Sequence, residues 1–135
     1  MEHTERRTGQ DNRVIFDYVC PNCWYQINNC KCKFKPYTLL FIDENIQEHI
    51  RILNTKGYQT RYCCESHNKK GGNLIYISFI TNYNLELPLG FTYDQKHNSI
   101  NYYIKKSELN KFEQVKKEKL DILLKWCKEL PSLID

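Results

Sequence analysis

Apolar positions along this chain fall in short runs divided by polar turns, and their period changes between the two-residue repeat of strands and the longer repeat of helices. Val14, Ile15, Phe16 and Tyr18 make a stretch of strand length ending at Val19. Tyr37 to Ile42 is a second such run, followed by Asp43, a residue type that caps helices. Ile46, Ile50 and Leu53 then recur at helical spacing, and Gly57 stands where a left-handed residue would end that helix.

Tyr58 to Glu65 and Leu74 to Thr81 are rich in β-branched and aromatic residues, and Asn68-Lys-Lys-Gly-Gly-Asn73 between them has turn chemistry, which predicts a hairpin. Phe91 to Asp94 and Ser99 to Lys105 predict a second, joined through Gln95 to Asn98. Ser107 is placed to cap a last helix. Along it Leu109, Phe112, Leu120, Leu123, Leu124, Cys127 and Leu130 fall near one face, with Lys111, Lys116, Lys117 and Lys125 on the solvent side, until Pro131 stops it.

A chain of 135 residues has the size of one domain. Residues 1–13 are polar and without period, a flexible tail, and residues 14–135 form a single α+β domain. Lys and Arg exceed Asp and Glu by 20 to 16, a balance of +4 that names no partner. The first residues have no apolar leader core, and no run reaches the roughly 20 apolar residues of a membrane span, so a cytoplasmic location is expected.

That location bears on the 7 cysteines, because a reducing compartment favours metal binding or plain burial over disulfides. In Cys20-Pro-Asn-Cys23-Trp-Tyr-Gln-Ile-Asn-Asn-Cys30-Lys-Cys32 the first pair has the two-residue gap that lets two thiolates converge on one tetrahedral ion. The second pair has one intervening residue, tighter than usual. Four thiols within 13 residues predict a structural zinc knuckle at 20–32, held by Cys20, Cys23, Cys30 and Cys32, since Trp24, Tyr25 and Ile27 supply little core there. The expected fold is therefore α+β: an antiparallel sheet with two packed helices and an N-terminal zinc-stapled lobe.

Arg61-Tyr-Cys63-Cys64-Glu-Ser-His67 is a second cluster with three readings: one cysteine in the core and one near the surface, a metal site, or a Cys–His nucleophile pair. Neighbouring strand residues face opposite ways, which opposes a shared ion unless the strand ends or bulges there. Cys127 reads as a core residue. Lys31, Lys33 and Lys35 around Cys32 and Phe34, with Lys69 and Lys70, suit either a solvated surface or contact with a nucleic-acid backbone. No phosphate-binding glycine loop, paired-carboxylate pattern or nucleophile elbow occurs, which argues against an enzyme.

Cys20-Pro-Asn-Cys23-Trp24, the stretch from Leu53 to His67, and Tyr76-Ile-Ser-Phe79 resemble small accessory proteins of phages and prophages in Gram-positive bacteria. Among these are zinc-containing anti-CRISPR proteins. The resemblance implies a non-enzymatic inhibitor that binds a type II CRISPR effector nuclease and prevents target-DNA loading, with protein–protein contact as its mode of action. The second function expected from the residues is a zinc-dependent nucleic-acid-binding regulator.

Overall fold

The computed structural model describes residues 7–8, 15–25, 29–32, 40–66 and 73–134. Its strands are β1 (Arg7–Thr8), β2 (Ile15–Val19), β3 (Leu40–Asp43), β4 (Thr60–Glu65), β5 (Leu74–Phe79), β6 (Thr92–Asp94) and β7 (Ser99–Tyr103), and its helices are α1 (Gln47–Thr55) and α2 (Phe112–Glu129). The architecture is α+β, with one three-stranded sheet of order β1-β2-β3 and one four-stranded sheet of order β4-β5-β7-β6. Every pairing is antiparallel. Arg7 and Thr8, inside the stretch expected to lack structure, pair with Phe16 and Ile15.

Both expected hairpins form, β4 with β5 and β6 with β7, although the turn expected at 68–73 lies almost wholly outside the described residues. The two-residue repeat sorts each strand into an inner and an outer face. Ile75, Ile77, Phe79 and Ile100 point inward and are buried with Ile46, Ile50 and Leu53 from the first helical segment and Phe112, Leu120, Leu123 and Cys127 from α2. Both helices therefore cover one face of the four-stranded sheet. His49 of α1 joins them, its Nε2 lying 2.7 Å from the carbonyl oxygen of Leu120, and burial holds the ring below the ordinary histidine range.

Helix ends differ from the expected caps in instructive ways. Asp43 makes no side-chain cap bond to the 3-10 turn Glu44–Ile46 that leads into α1; its buried carboxylate accepts the Glu65 N–H instead, at 3.1 Å. Ser107 is not the cap of the last helix either. A 3-10 segment, Lys106–Lys111, precedes α2, and the Glu108 carboxylate closes its start by accepting the Lys105 N–H at 2.9 Å and the Tyr102 hydroxyl at 3.0 Å. That N–H, with the tyrosine hydroxyl, draws the Glu108 carboxyl below its usual range.

The end of α1 follows the expected pattern. Gly57 has φ +100, its N–H donates to Asn54 O at 3.1 Å, and the Tyr58 N–H donates to Leu53 O at 2.9 Å, the two bonds of a Schellman close. A Cβ at Gly57 would stand 3.0 Å from Leu133 Cβ. The preceding Lys56 reaches across to the end of α2, where Nζ donates to the carbonyls of Cys127, Lys128 and Leu130 at 2.9, 2.7 and 2.5 Å.

Candidate metal centre

Strand β2 runs directly into the first cysteine pair, and backbone bonds then fold the chain back on itself: the Trp24 N–H donates to Cys20 O at 2.8 Å and the Cys20 N–H to Tyr25 O at 3.0 Å. Trp24 takes the left-handed region, φ +67, as the tight return demands. The return brings Cys20 and Cys23 side by side, and Cys30 and Cys32 come up against them. All four Sγ atoms lie within 4.8 Å of one another, with Cys20 Sγ and Cys32 Sγ 3.9 Å apart. A tetrahedral ion with metal–sulfur bonds of about 2.3 Å requires sulfurs about 3.8 Å apart. A disulfide requires about 2.05 Å, and none of the seven cysteines is in one.

Backbone amides face these sulfurs. The Asn22 N–H donates to Cys20 Sγ at 3.3 Å, and the Tyr25 and Cys32 N–H groups do the same for Cys23 and Cys30. Each donor sits two residues beyond its cysteine, so the loop backbone carries partial positive charge to where thiolate charge must be held. The thiols interact strongly. The Cys32 N–H draws Cys30 down to about 7, whereas Cys32 is pushed up to about 12, first by its contact with Cys30 and then by desolvation. Four mutually close sulfurs compete for negative charge, and a cation among them relieves that competition.

The donor set thus fits one tetrahedral metal ion with a preference for sulfur. Cys20 and Cys30 are buried while Cys23 and Cys32 are partly exposed, so one edge of the sulfur tetrahedron faces solvent. Trp24 packs on the principal core, and Arg51 of α1 lies over the Tyr25 ring at 4.9 Å, which fastens the knuckle to the helical layer. Lys31 lines a depression of about 690 Å³ beside Cys23 and Cys32. Lys33, Lys35, Lys69 and Lys70 lie outside the described residues.

The second cysteine cluster is divided by its strand. Cys63 pairs with Ile77 and packs against the core, where burial pushes its thiol far above the usual range. Cys64 points to the opposite face, and its Sγ accepts the Ser66 N–H at 3.4 Å. Neither joins the first cluster, and among the described residues only Cys20, Cys23, Cys30 and Cys32 group as a metal site. His67 lies outside the described residues. Cys127 is fully buried.

Sequence reasoning missed a buried ion pair. Lys116, expected on the solvent face of α2, is 4% exposed, and its Nζ lies 2.7 Å from Oε2 of the wholly buried Glu65. The Ser66 carbonyl accepts from the same ammonium at 3.0 Å, while Asn45 gives Glu65 two bonds, from N at 2.7 Å and Nδ2 at 2.8 Å. No local signal announces such a pair, because each member is polar in a position whose partner is distant in sequence.

No known protein family, no curated protein sequence and no solved structure matches this chain. Among the described residues no helix is long and apolar enough to cross a membrane.

Proposed function

We propose that this chain is a zinc-stapled binding protein without catalytic activity, a phage- or prophage-encoded inhibitor that attaches to a type II CRISPR effector nuclease in the bacterial cytoplasm and blocks target-DNA loading. The observation that carries the metal role is the convergence of four sulfurs at tetrahedral spacing, each of three receiving a backbone N–H. An all-sulfur tetrahedron without redox demand suits zinc, and with every ligand from the protein the ion has no open position for a substrate. Its role is to hold Trp24 and Tyr25 against α1.

One further point supports a binder rather than an enzyme. Cys63, one of the two candidate nucleophiles beside Cys64, has its thiol held protonated by burial. The partner class rests on the resemblance carried by Cys20 to Trp24, Leu53 to His67 and Tyr76 to Phe79. A net charge of +4 is unsuited to imitating DNA, so the inhibitor acts on a protein surface.

Elemental mass spectrometry on protein purified without added metal tests the first half: about one zinc per chain, absent from a Cys20→Ser, Cys23→Ser variant, is expected. Co-purification with a type II effector nuclease, and a loss of that nuclease's target-DNA binding, tests the second. Zinc-free wild type would sink the metal role. A zinc-loaded protein that neither associates with the nuclease nor alters its DNA binding would sink the inhibitor role.

A further inference from the structure

Beyond the metal centre, the four-stranded sheet has an outer face that the helices leave uncovered. Register places Tyr62, Tyr76 and Tyr103 on it: Tyr62 stands opposite Ser78, Tyr76 opposite Cys64 and Asn101, and Tyr103 opposite Leu74. The three rings therefore descend diagonally over β4, β5 and β7, each step moving one strand across and two residues along, roughly 8 Å between backbone positions. Tyr62 and Tyr103 are 62% and 63% exposed, unusual for aromatic side chains at strand positions.

The irregularity in β4 adds a cation to this row. Pairing shifts between Thr60 and Tyr62, so Arg61 is the extra residue of a bulge, and Arg61 and Tyr62 line the same depression of about 570 Å³ over the outer face. The Arg61 guanidinium lies 5.7 Å from the Tyr62 ring centre. Lys96 borders that depression, and Lys105, two residues beyond Tyr103, is exposed. Among the described residues the one carboxylate on its border, Asp94, is engaged by His97 at 2.7 Å. The face thus combines free aromatic rings with surplus positive charge.

We infer that this face binds single-stranded nucleic acid, with bases stacked on Tyr62, Tyr76 and Tyr103 and the phosphate backbone held by Arg61, Lys96 and Lys105. Bases in a duplex hide their flat faces in the stack, whereas a single strand offers them to exposed rings. Cations beside the rings then neutralise the phosphates that accompany those bases. Asn101, partly exposed opposite Tyr76, gives base edges a bonding partner, while Ser78 and Ser99 are buried with their hydroxyls donating to His97 O and Asn101 Oδ1. Beyond the rings, Leu74, Phe79 and the exposed Ile80 border the depression. The inference is independent of the metal and of the proposed nuclease.

Fluorescence anisotropy of the full zinc-loaded chain with labelled oligo(dT), oligo(U) and a duplex of equal length tests it. Single strands are expected to bind, more weakly as salt rises, with Tyr62→Ala and Tyr103→Ala each reducing affinity on the order of tenfold. Tyr62→Phe and Tyr103→Phe retain the stacking surface and are expected to bind nearly as the wild type does. Arg61→Gln should flatten the salt dependence. The comparison of oligo(dT) with oligo(U) tells whether DNA or RNA is preferred. Because the two tyrosines are exposed, zinc content and thermal unfolding of the alanine variants should match the wild type, which separates lost binding from lost folding. Equal affinity in the alanine variants, preference for duplex, or no oligonucleotide binding at all would overturn the inference. So would loss of a protein partner on the same substitutions with oligonucleotides never bound, which would assign the face to protein recognition.

Discussion

Lys116 shows how far one side chain can depart from what its neighbours in sequence suggest. Four residues on from Phe112 and four before Leu120, it occupies the apolar stripe of α2 and fills that position with its hydrocarbon stem while its ammonium meets Glu65. A carboxylate with no solvent contact is tolerated only because Lys116 and both donors of Asn45 surround it. Lys116→Met keeps the stem and removes the charge, leaving Glu65 uncompensated. A loss of about 3–5 kcal/mol in urea-unfolding stability is expected. A loss under about 1 kcal/mol would mean that Glu65 reaches water, contrary to its burial.

At the scale of elements, the ends of α1 and α2 are tied together through one residue. Lys56 donates to three carbonyls at the close of α2, where the helix dipole is negative and backbone acceptors lack intrahelical partners. The Tyr58 hydroxyl donates to Pro131 O at 2.5 Å, and the Leu133 N–H to Lys56 O at 2.7 Å, so the residues after α2 fold back onto the Schellman turn. Lys56→Met is expected to cost about 1–3 kcal/mol and to speed amide exchange in the last turn of α2 above all. Uniform acceleration over the molecule, with no excess at that turn, would show that Lys56 acts on global stability instead.

The whole molecule is a helix-and-sheet layer with a thiol-held lobe attached. The four cysteines lie outside the hydrophobic cluster that joins α1, α2 and the four-stranded sheet, yet Val19 and Trp24 on either side of Cys20 touch it. Removing the metal should therefore loosen the lobe first and leave the layer folded. The two tryptophans report on the two parts: Trp24 sits in the knuckle, and Trp126 of α2 donates to Glu86 O at 2.8 Å. A strong chelator is expected to red-shift Trp24 emission while a Trp24→Phe variant, reporting through Trp126, changes little and the helical circular dichroism persists. Simultaneous collapse of both signals would make the metal a condition for the entire fold.

Much of this protein was legible without coordinates, because local spacing carries local geometry. The Cys20, Cys23, Cys30, Cys32 spacing marked a four-cysteine cluster, Gly57 marked a left-handed close, and the apolar and aromatic runs Leu74 to Thr81 and Ser99 to Lys105 marked strands whose inner faces build the core. These are properties of a few adjacent residues and survive in any context that buries one face. Tertiary structure decided the rest. It turned Asp43 from cap to acceptor for Glu65, took Lys116 from solvent to Glu65, and sent Lys56 to the end of α2. In each case the position of a polar group depended on a partner brought from a distant part of the chain, and no local period encodes which partner arrives.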